Sequence, residues 1–62
     1  MIRKPEDADG QKIKVGDFVV SEEFPHLGVG KVLNISSDHL LVKVQFDQEY
    51  HTCKIWETRR QL

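Results

Sequence analysis

Apolar and polar residues alternate most regularly over Leu40–Asp47, where Leu40, Val42, Val44 and Phe46 interleave with Leu41, Lys43, Gln45 and Asp47. A period of two places the first set on one face of a β-strand and the second, with Leu41 as its apolar exception, on the other. Just upstream, in GKVLNISSDHL, Val32 and Ile35 are expected inward, and Ser36-Ser37-Asp38-His39 has the composition of a hairpin connection. The two segments predict an antiparallel hairpin. Asp17–Glu23 predicts a first strand with Val19 in the core, and His51–Glu57 a fourth in which Cys53 and Ile55 share a face while Tyr50 and Trp56 fall on the other. The last stretch, Thr58–Leu62, predicts a single 3-10 turn and a short closing strand that docks Leu62. Helical periodicity is absent from the chain.

The pattern changes at Ile13. Met1–Lys12 carries three positive and three negative charges and almost no apolar residue, so residues 1–12 are expected as a flexible arm and residues 13–62 as the folded domain. Gly16-Asp17 reads as the entry turn of the first strand. Gly28 and Gly30 flank Val29 at a bend, where positive φ or a missing Cβ lets the chain fold back. Four to five short antiparallel strands with such bends predict an all-β domain, a small SH3-like barrel. Its expected core is Val15, Val19, Leu27, Val29, Val32, Ile35, Leu40, Val42, Val44, Phe46 and Ile55.

Length and composition narrow the function classes. Sixty-two residues make one domain. No unbroken apolar run exceeds three residues, against about 20 for a spanning helix and about 7–15 for a secretory signal, so no membrane association and a cytoplasmic location are expected. Nine Lys plus Arg against ten Asp plus Glu leave a net charge of -1, without the basic excess of an autonomous DNA-binding domain.

The stretches KVGDFVV, LGVGKVL and LLVKVQFD together resemble a bacterial Tudor-like family of SH3-like barrels. Its members carry a Gly-Asp-x-Val strand, a Gly-x-Gly-x-Val bend and a Val-x-Val-x-Phe strand ending in an acidic turn. The likeness runs from about Val15 to Leu62 and is similar to the small barrels of UvrD-type helicases and of Swi/Snf-type ATPases that work beside RNA polymerase, and more distantly to CarD-like regulators. It implies a Tudor-like fold and a protein partner of the RNA polymerase or helicase class. The acidic Glu22-Glu23 pair stands where a basic residue would favour nucleic acid.

The residues themselves offer little catalytic chemistry. His26, His39, His51 and Cys53 match no zinc spacing, and Cys53 reads as a small core hydrophobe. Leu27–Gly30 lacks the helix and lysine of a phosphate-binding loop. A barrel filled by its own side chains has little room for an active site, so no enzyme activity, cofactor or metal is expected. Phe24, His26, Leu41, Tyr50 and Trp56 are the candidate partner-binding residues, against the alternative that Trp56 packs under the arm or the terminal turn and Tyr50 covers the barrel rim. A methyl-lysine cage needs more convergent rings than these. Lys31, Lys43, Lys54, Arg59 and Arg60 form a candidate basic stripe for weak nucleic-acid binding, against the alternative of ordinary solvated charge. A third reading is a small homo-oligomer that pairs through Leu41 and an edge strand.

Overall fold

The computed structural model describes residues 4–61, so the expected docking of Leu62 lies outside the described residues. Five strands, β1 (Phe18–Ser21), β2 (Val29–Ile35), β3 (Leu41–Phe46), β4 (Glu49–Lys54) and β5 (Thr58–Gln61), form one antiparallel sheet in the order β4-β3-β2-β1-β5. Single 3-10 turns occupy Pro25–Leu27 and Ile55–Glu57. The second of these turns lies immediately before β5, earlier than the Thr58–Leu62 position expected for it. The chain meanders from β1 to β4 and then returns to the far side of β1. No hydrogen-bonded ladder joins β4 to β5, so the sheet is not closed into a barrel by hydrogen bonds and keeps two edges.

β3 follows its alternation: Val42, Val44 and Phe46 are buried, Leu41 and Lys43 exposed. β2 breaks the rule of two. Val32 faces Val44 and Ile35 faces Val42, although they are three positions apart, because the register slips between Val32 and Asn34; the bulge absorbs one residue and returns Ile35 to the inner side. Val29 lies before the bulge with the parity of Lys31. It is 52% exposed, and Val15 in the entry turn is 60% exposed, so neither belongs to the core expected from the sequence. Ile13, Cys53, Ser21 and Thr58 are buried instead. The Thr58 hydroxyl, fully buried, donates to the Ile55 carbonyl at 2.7 Å, which removes the penalty of burying it.

The glycines of the bend act by different means. Gly28 has φ 72°. Gly30 is extended and points inward, where a Cβ would lie 2.5 Å from Val44 and 2.7 Å from the Phe46 ring. At the entry turn, Gly16 has φ 98° and the Asp17 carboxylate accepts the Lys14 N–H at 3.0 Å.

Residues 4–12, read from the sequence as part of an arm, lie along the outer edge of β5. Asp7 is 5% exposed. Its Oδ1 accepts the N–H groups of Asp9 and Gln11, and its Oδ2 accepts the Arg60 N–H at 2.7 Å. The Ala8 N–H donates to the Thr58 carbonyl at 2.8 Å. Thr58 and Arg60 are the β5 residues whose backbone groups point away from β1, so this loop satisfies the edge that would otherwise be bare.

Candidate functional site

With β5 covered, β4 is the free edge of the sheet. Phe46 pairs with Glu49 across the Asp47-Gln48 turn, and the Ile55 N–H donates to the Leu40 carbonyl at the far end of the same ladder. Alternation between these two points leaves the backbone groups of Glu49, His51 and Cys53 bonded to β3 and those of Tyr50, Thr52 and Lys54 pointing outward. The side chains of Tyr50, Thr52 and Lys54 lie on the outer face, opposite Cys53. Tyr50 is 58% exposed, Trp56 follows in the 3-10 turn and is partly exposed, and Leu41 pairs with Lys54 on the same outer face.

The five aromatic and apolar candidates divide into two pairs and a separate Trp56. Phe24 packs against the core, with its ring 4.5 Å from that of His51 and 6.5 Å from that of His26. His51 also contacts Phe46, so Phe24 belongs to the inner side near the turns, with the exposed His26 beside it. Leu41 and Tyr50 belong to the outer face, and Trp56 lies beyond the end of β4. A shallow depression of about 200 Å³ lies beside Leu41 and Lys43, with Asn34 and Thr52 on its walls.

The cations divide too. The Arg59 guanidinium bonds Glu22 at 2.8 Å and Asp9 at 2.6 Å, and these carboxylates, Glu22 first, raise its pKa. Arg60 reaches Asp17 at 3.4 Å and Lys54 approaches Glu57 at 4.0 Å. Lys43 lies 5.6 Å from the Tyr50 ring centroid. Lys31 is exposed on β2. The expected stripe of five is therefore reduced, on this face, to lysines.

Cys53 is fully buried, and burial raises its pKa against the smaller opposing effect of the Ser21 hydroxyl. Such a thiol is a poor nucleophile. Among the described residues no three His, Cys, Asp or Glu side chains group to hold a metal. Phe18, 53% exposed on β1, is a surface aromatic that the sequence reading leaves unassigned, although an inward Val19 already turns it outward. No family model, curated protein or solved structure matches the chain.

Proposed function

We propose that the protein is a non-enzymatic interaction module, an SH3-like and Tudor-like barrel that binds a protein component of a nucleic-acid machine. The carrying observation is the asymmetry of the sheet edges: β5 is covered by the loop around Asp7, whereas β4 presents outward backbone groups at Tyr50, Thr52 and Lys54. The meander of four strands, the 3-10 turn and the return of β5 beside β1 suit such a barrel. An extended segment of a partner adds to β4 as a further strand, each backbone hydrogen bond contributing about 0.5–1.5 kcal/mol net. Tyr50 and Trp56 then supply anchors beside that strand. The class of partner, RNA polymerase or a helicase, rests on the resemblance of the glycine and strand motifs.

The test is binding to purified RNA polymerase core and to a UvrD-type helicase, with Thr52→Pro as the probe. Proline at this position removes an outward N–H and no bond to β3, so the variant keeps its fold by circular dichroism. A clear loss of affinity for Thr52→Pro and for Trp56→Ala is expected. Unchanged binding by the folded Thr52→Pro variant rejects the edge, and no binding to either machine rejects the partner class. A second copy paired through Leu41 and β4 competes for the same edge, and sedimentation above the monomer mass of 7.2 kDa identifies it.

A further inference from the structure

Within the strands, charge is sorted by face. The chain has a net charge of -1, yet the outward positions of the five strands hold Lys31, Lys43, Lys54 and Arg59 and no carboxylate. Glu49 is the only acidic residue within a strand; it has the inward parity of its partner Phe46, and its carboxylate meets His51 at 3.3 Å. Arg59 is already held by Asp9 and Glu22. Lys31 and Lys43 make no salt bridge among the described residues.

These two lysines stand among exposed rings. Tyr50, Gln45, Lys31 and Phe18 are successive cross-strand neighbours on β4, β3, β2 and β1. Both rings of that row are more than half exposed. Three strand spacings separate them, roughly 14 Å at about 4.8 Å per strand. Bases stacked at about 3.4 Å cannot occupy both rings as immediate neighbours, whereas a flexible single strand can splay one base onto each and lay its phosphates past Lys31, which stands between the rings, and Lys43, which lies beside Tyr50. A duplex keeps its base faces hidden. An acidic peptide would satisfy the lysines and leave the ring faces unused.

We infer that the outer face of the sheet binds single-stranded nucleic acid, with Phe18 and Tyr50 as stacking platforms and Lys31 and Lys43 as phosphate contacts. The arginines of the expected stripe take no part. Phe18 lies three strands from β4, so the site extends well away from the edge proposed for a protein partner and is tested separately from it.

The experiment is fluorescence anisotropy of short labelled single-stranded DNA and RNA of mixed sequence, the matching duplex and a polyglutamate peptide, titrated with the full chain at low and near-physiological salt. Single strands are expected to bind several-fold more tightly than the duplex or the peptide. Phe18→Ala and Tyr50→Ala, both at exposed positions, should each weaken binding about 5- to 150-fold, the range given by base stacking of about 1–3 kcal/mol. Lys31→Gln should reduce the slope of log affinity against log salt by about 0.7. Thr52→Pro should leave oligonucleotide binding intact. Absence of single-strand binding at low salt, equal affinity for duplex or polyglutamate, or unchanged binding by a folded Phe18→Ala variant overturns the inference.

Discussion

Gly30 faces the core between Val44 and Phe46 with no room for a methyl group. Gly30→Ala is expected to destabilise the fold by about 1–3 kcal/mol through overpacking, read as a lower urea midpoint at unchanged m-value. Cys53 gives a second residue-level expectation. Its folded pKa lies above the ordinary thiol value, chiefly through burial, so the folded state holds the proton more tightly than the unfolded chain. Stability from this group is intact below about pH 8.5 and declines as pH rises through the raised folded value. Native protein should label slowly with Ellman's reagent and promptly in urea; prompt native labelling would contradict the burial. Asp38 titrates in the opposite sense, because the Ser36 hydroxyl at 2.6 Å and then the Leu40 N–H favour its charged form and lower its pKa. Its contribution is present above the ordinary carboxylate range and is lost as pH falls through the lowered folded value. Amide shifts of Leu40 and Leu41 across an acid titration should report that transition.

The elements were legible to the extent that their side chains keep one period. β3 does so throughout, and its inward set follows from the letters alone. β2 does not: Val29, Val32 and Ile35 are equally apolar, and only the bulge after Val32 decides that Ile35 shares the inner face with Val32 and not the outer one with Val29. A bulge depends on pairing with another strand, which a single strand's sequence does not display. The same limit applies to the site. Tyr50 was legible as an outward ring from Cys53, but the sorting of Arg59 and Arg60 into ion pairs depends on Asp9, Glu22 and Asp17 in distant parts of the chain. Asp7 shows it most clearly, since its role needs Arg60, more than fifty residues away. Asp7→Ala is expected to cost about 1–3 kcal/mol by stripping the acceptors from three part-buried N–H groups, or several degrees of thermal midpoint for a domain of this size. Asp7→Asn, which keeps one acceptor oxygen, should cost less. Equal stability of all three proteins would show that the loop contributes nothing to β5.

At the scale of the molecule, two kinds of pairing hold the sheet together. β2, β3 and β4 are joined by consecutive hairpins, whereas β1 pairs with β5 across most of the chain's length. Local pairings close cheaply and distant ones late. Hydrogen exchange should therefore find the amides of Val42 and Val44 the slowest, with those of Arg60 and Ala8 exchanging through smaller openings; uniform protection would show one indivisible unit. The strand order also bears on synthesis. β1, with Phe18, Val19 and Val20 in succession, leaves the ribosome before β5, and one of its sides must wait for Thr58–Gln61 before it has a neighbour. During that interval a growing chain carries its most apolar strand half-paired, and crowding of nascent chains on a polysome is the circumstance in which this small domain is most exposed to aggregation.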